Sequence, residues 1–168
     1  MASAHAMVPD DLAEDFVHSP ELEDIARALI NRHPRFRPLS EAGIRIAYCE
    51  RLGEPSGQGE EIMAKCQKAP ALWRDLAGVD LVIWSWRDVW RQLSSIQREA
   101  LIAHELCHPF VTEKGTLKLL SHDLEEFAFV AAQYGAWDDG IRIFSGALAS
   151  YDESKVTAIG DRQPRKGT

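Results

Sequence analysis

An α+β fold, with a three-stranded sheet packed against one central helix and flanking helices around it, is what this sequence predicts. Three observations predict it. Val79-Asp80-Leu81-Val82-Ile83-Trp84-Ser85-Trp86 is apolar apart from Asp80 and Ser85, the pattern of a strand buried on both faces. Segments of helical periodicity stand before and after it. The 168 residues, 45% of them hydrophobic, are enough for one core without disulfide staples.

Residues 1–18, with Pro9 and several acids, read as a loose leader, residues 19–150 as the folded domain, and residues 151–168 as a partly disordered tail. Ser19 and Pro20 open a helix as cap and first-turn proline, and Leu22, Ile25, Leu29 and Ile30 give it an apolar face. A turn follows at Pro34 to Pro38. Ile44, Ile46 and Tyr48 then alternate with Arg45 and Ala47, as in a strand. A glycine-rich loop from Gly53 to Gly59 leads to a second strand over Ile62 to Cys66, and Pro70 to Gly78 makes a short helical connection. After the strand over Val79 to Trp86, a helical face of Trp86, Val89, Trp90 and Leu93 bridges to the next helix.

That helix carries the chemistry. Ser94 followed by Gln97 is a capping-box pattern. Ile96, Ala100, Ala103, Cys107 and Phe110 recur at steps of four and three, which predicts the face turned to the core. His104-Glu105-Leu106-Cys107-His108 spells H-E-x-x-H. At about 100° per residue, His104 and His108 share one edge of the helix, where two imidazoles can chelate one divalent metal. Glu105 is rotated away by about a quarter-turn, so it suits a water at the metal rather than the metal itself. Pro109 lacks an N–H and should kink or end the helix. A bland alternative is a partly buried helix that happens to bear two histidines. The pair at i, i+4 with a glutamate between them favours metal.

A catalytic zinc usually has three protein ligands and one open position. The next candidates lie beyond a loop over Thr112 to Thr116, in Ser121-His122-Asp123-Leu124-Glu125-Glu126-Phe127. This segment opens a second helix, with Leu124, Phe127, Ala128, Ala131 and Tyr134 as its stripe, Ser121 or Asp123 as cap and Gly135 as its end. His122 is the favoured third ligand. Glu126 could replace it or hold its imidazole from behind. Glu125 fits the ordinary excess of acids at a helix N-terminus.

The run Ala100 to His108, then His122-Asp123-Leu124-Glu125-Glu126-Phe127 and Tyr134-Gly135, resembles the phage metallopeptidase family, which pairs an H-E-L-x-H helix with a downstream H-D-x-E-E-F segment. The likeness spans about residues 20 to 137. More distantly the chain resembles the SprT-like and other small single-domain zincins. It lacks their zinc-ribbon cysteines, which counts against a DNA-repair role. The resemblance implies a zincin-like domain and a zinc peptidase. In such enzymes the strand shortly before the metal helix lies at the cleft, and this places Val82 to Trp86 there, with an edge for an extended peptide; the alternative is a central buried strand whose tryptophans, Trp84 above all, simply fill the core.

The expected ligands are His104, His108 and His122 on Zn²⁺, with Glu105 as general base. The expected partner is a peptide or protein substrate. A formal charge of −7 argues against a nucleic-acid binder. No transmembrane-length apolar run or signal-peptide pattern is present, so no membrane association is expected. Cys49, Cys66 and Cys107 form no C-x-x-C pair and point to reduced thiols in a cytoplasm. Two other classes stay open, a metal-dependent hydrolase of a non-peptide bond and a non-catalytic metal-binding interaction module. Specificity and oligomeric state leave no mark in the sequence.

Overall fold

The computed structural model describes residues 15–53, 62–122, 130, 133–136 and 139–151. These fall into two compact units, one ending at Leu120 and one beginning at Ser121. The first unit contains β1 (Phe16–His18), α1 (Pro20–Arg32), α2 (Arg37–Glu41), β2 (Ile46–Arg51), β3 (Ala64–Lys68) and α3 (Ala71–Ala77). It continues with β4 (Leu81–Trp86), α4 (Arg87–Gln92), α5 (Ser95–Cys107), β5 (Pro109–Val111) and β6 (Leu117–Leu119).

The mixed α+β class holds, but the main sheet has four strands rather than three, in the order β1-β2-β4-β3. The added strand is β1, from residues read as leader: Phe16, Val17 and His18 pair antiparallel with Arg51, Glu50 and Cys49. Three residues carry no period to read, and only their partner on β2 makes them a strand. β2 runs parallel to β4, and β3 runs antiparallel to it. β4 is therefore hydrogen-bonded on both sides and buried along its whole length. It offers no edge to a peptide, which corrects the expectation for Val82 to Trp86. Among the described residues the edge strand on that side is β3.

Alternation along β4 divides the core. Leu81 and Ile83 face α1 and α5, meeting Leu22, Leu29, Ile102 and Leu106. Val82, Trp84 and Trp86 face the other way, toward Cys49, Val79 and Phe16. Leu22, Leu29, Leu81, Ile83, Ile102 and Leu106 are fully buried, each worth about 1.5–3 kcal/mol of apolar burial. Arg51 lies over the Trp86 ring, 4.5 Å from its centroid, a cation–π contact on the second face.

Polar residues fix the remaining joints. The Ser19 hydroxyl does not cap α1; it donates to Glu50 Oε1 at 2.8 Å, while its amide donates to the Tyr48 carbonyl at 3.0 Å. Glu21 joins three helices: it accepts from Trp90 Nε1 at 2.9 Å and from Arg98 Nη1 at 2.6 Å. Asp80, the odd charge in the apolar run, receives the Arg45 amide at 2.9 Å and its Nε at 3.1 Å, tying the starts of β2 and β4. Burial alone would raise the Asp80 carboxyl, but the Arg45 hydrogen bonds and charge, helped by Arg74, hold it below its ordinary value.

Three short elements stand in or beside segments read as turns. α2 grows out of the Pro34–Pro38 turn, and β5 and β6 make a hairpin on either side of the Thr112–Thr116 loop. In the second unit Val130, Gln133 and Tyr134 are helical, and Gly135 at φ 67° is a left-handed stop suited to glycine. α6 (Asp139–Ala149) follows. No helix among the described residues is long and apolar enough to cross a membrane.

Candidate metal centre

α5 begins as its sequence requires. Ser94 Oγ accepts the Gln97 amide at 3.3 Å, and Gln97 Oε1 accepts the Ser94 amide at 2.9 Å, completing the capping box. The helix ends at Cys107 because Pro109 can supply no amide for another turn. His108 stands at the C-cap, its amide reaching the Glu105 carbonyl at 3.3 Å.

The small-residue stripe predicts the buried face of α5 only in part: Ala103 and Cys107 are half-buried against the core, but its other members are not. Ile96 is 43% exposed and Phe110 48%, and Ala100 is exposed too. The helix instead buries Leu101, Ile102, Glu105 and Leu106. Leucine and isoleucine yield more than alanine and cysteine when removed from water, so bulk overrides the tidier period. The consequence is functional. His104 and His108 lie on the boundary of either face, but Glu105 now belongs to the wall, 4% exposed.

That wall includes β3. Cys66 on β3 is buried, and burial, followed by the nearby Glu105 charge, pushes its thiol up to about 12. Burial likewise pushes Cys49 up to about 11. At pH 8 a thiol of pKa 12 is only about one part in 10⁴ thiolate. Iodoacetamide should therefore alkylate half-buried Cys107 well before Cys49 or Cys66 in the folded protein. Peptide mass spectrometry reads the order, and equal labelling of all three would contradict this packing.

Beyond α5, the β5–β6 hairpin returns the chain to the histidines. The Leu120 amide donates to the His108 carbonyl at 2.7 Å. The His108 ring answers, with Nδ1 at 2.8 Å from the Leu120 carbonyl. A carbonyl can only accept, so Nδ1 carries the proton and, in the neutral ring, Nε2 keeps the lone pair a metal needs. Sequence reasoning missed this carbonyl behind the His108 ring because a backbone group leaves no signature in residue identity.

The ligand nitrogens of His104, His108 and His122 all lie within 4.8 Å of one another, a group that could hold a metal ion. Zinc with Zn–N bonds of about 2.1 Å needs its nitrogens about 3.4 Å apart. The His104 and His108 rings stand 5.2 Å apart at 79°, edge to face rather than stacked. His104 and His122 are exposed and His108 is half-buried, so the group is open to a ligand from solvent. Glu125, Glu126 and the rest of the stripe from Leu124 to Ala128 lie outside the described residues, as does Ala131. Tyr134 is 68% exposed.

Comparison with curated proteins and with solved structures gives no match to this chain. A family model described as "Putative phage metallopeptidase" matches residues 14–145, most of the chain, and the protein belongs to that family.

Proposed function

We propose that the chain is a zinc-dependent endopeptidase in which His104, His108 and His122 hold the ion and Glu105 is the general base. The observation that carries this reading is the convergence of three imidazoles beside a helix whose intervening glutamate is turned into the wall. The donor set suits the metal: neutral imidazoles favour zinc among the ions common in hydrolases, and calcium or magnesium would want oxygen. A zinc ion bound there would polarise the scissile carbonyl and bring a water into the range where it ionises near neutral pH.

The remaining work falls to the chain's own groups. Glu105 takes the proton of the attacking water and passes it to the departing amine, so one carboxylate serves first as base and then as acid. The Leu120 carbonyl holds the His108 ring in a fixed tautomer through this exchange. An extended substrate lies along β3, the edge strand beside α5, and main-chain hydrogen bonds there would align its peptide bond. Two observations support that placement: among the described residues β3 pairs with β4 and with no other strand, and Lys68 Nζ donates to the Leu117 carbonyl at 2.6 Å, tying the strand's end to the hairpin. The setting belongs to the same proposal: a cytoplasm, in which Cys49 and Cys66 would stay reduced.

Incubation with an undirected peptide library tests the reaction class. Cleavage should stop with a chelator and return with added Zn²⁺. Cleavage that persists after complete metal removal would exclude the mechanism, and a metal-loaded protein inert toward every peptide would favour a non-peptide bond.

A further inference from the structure

Alternation divides the β5–β6 hairpin into two faces. Val111 and Leu117 pair with each other and pack against the core. Phe110 and Lys118, the next pair, therefore point the other way. Leu120 falls on their side two residues on, where its amide meets the His108 carbonyl and continues the ladder by one rung. Phe110 is 48% exposed and Leu120 45%. Large apolar side chains left in water together, with a charged neighbour at their rim, mark a contact surface.

The place of this surface says what it contacts. Leu120 is bonded to His108 through both its amide and its carbonyl, and only Pro109 separates His108 from Phe110. Side chains on one face of a strand repeat every ~7 Å, so the Phe110–Lys118 pair stands about one repeat from the rung that holds His108. An extended peptide has the same repeat. With its scissile bond at a metal held by His108, its next side chain along the hairpin comes to Phe110 and Leu120.

The surface is also fixed before anything binds. Pro109 is buried, Val111 and Leu117 are packed on the core, and Lys68 Nζ of β3 holds the Leu117 carbonyl at 2.6 Å. The last contact brings to this hairpin the end of the strand on which the substrate is proposed to lie. A preformed apolar surface loses little freedom when a ligand settles on it. All of these residues belong to the first compact unit.

We infer that Phe110 and Leu120 form a specificity subsite, which takes a large apolar side chain (Phe, Leu or Met) within two residues of the scissile bond. The inference rests on the zinc-peptidase reading above. A serine or glycine at that substrate position would leave both side chains in water, so burial of apolar surface makes the choice.

Two measurements test it on the full chain. One maps cleavage sites in a peptide library with the zinc-loaded protein. The other titrates N-acetyl-phenylalaninamide and N-acetyl-serinamide into the ¹⁵N-labelled chain and follows amide shifts. The parent should favour Phe, Leu or Met over Ser or Gly at one position by about tenfold in kcat/KM. Phe110→Ser should cut that ratio to about twofold with metal retained, since a half-exposed side chain can be replaced without opening the core. Leu120→Ser should act in the same direction, its backbone bonds to His108 being kept. The phenylalanine amide should give saturable shifts at Phe110, Lys118 and Leu120, and the serine amide none.

Cleavage without an apolar preference, or with one unchanged in Phe110→Ser, overturns the subsite and leaves the peptidase reading standing. No cleavage, with the shifts present and lost in Phe110→Ser, sinks the peptidase reading and keeps the apolar site. Neither cleavage nor shifts overturns both. Shifts that follow protein concentration alone, as in a contact between two copies of the chain, overturn the subsite.

Discussion

Glu105→Gln should lower peptide turnover by about 10³-fold while leaving bound metal unchanged. General acid–base groups contribute about 10²–10⁴-fold, and this glutamate would serve in both directions of proton transfer. A loss of that size is about 4 kcal/mol of transition-state stabilisation. The substitution keeps shape and removes only the charge and basicity, which matters at a residue 4% exposed, where a truncation would open a void as well. Steady-state kinetics and metal analysis on the same preparation separate the two effects. Turnover within a fewfold of the parent, with metal retained, would remove Glu105 from the mechanism.

Ile102→Ala should cost about 2–5 kcal/mol of stability, because Ile102 is fully buried between α5 and the sheet and its truncation leaves a cavity. With a urea slope of about 2 kcal/mol/M, the midpoint falls by about 1 M or more. The informative control is Ile96→Ala on the same helix. Ile96 is 43% exposed, so it should cost less than about 1 kcal/mol. Equal losses would mean that α5 presents the face its Ala-Cys stripe suggests. Glu105 would then lie outside the wall in which the mechanism uses it.

The metal helix and the central strand could be read from sequence because their causes are local. A capping box needs only Ser94 and Gln97, and a strand covered on both faces needs only its own run of apolar side chains. The same locality explains what could not be read. β1 exists because β2 is there to pair with it. The role of edge strand passed from β4 to β3 because strand order depends on crossovers, and no residue in Val82 to Trp86 records that a neighbour lies on each side.

The α5 stripe failed in part, at Ile96, Ala100 and Phe110, for a different reason. Two apolar faces competed, and the larger side chains of Leu101, Ile102 and Leu106 won. The two histidines survived the error because they border both faces. Pro109 announced the helix end but not the hairpin after it, and that hairpin brings the Leu120 carbonyl to His108.

The proposed chemistry depends on a zinc ion held by His104, His108 and His122. Its most direct measurement is metal content by mass spectrometry, on protein purified without chelator, for the parent chain and for single His108→Ala, His122→Ala and Glu126→Ala variants. The parent should carry one zinc per chain, the two histidine variants should lose it, and Glu126→Ala should keep it. A metal-free parent, or a His122→Ala variant that keeps its zinc while Glu126→Ala releases it, would contradict the site as described.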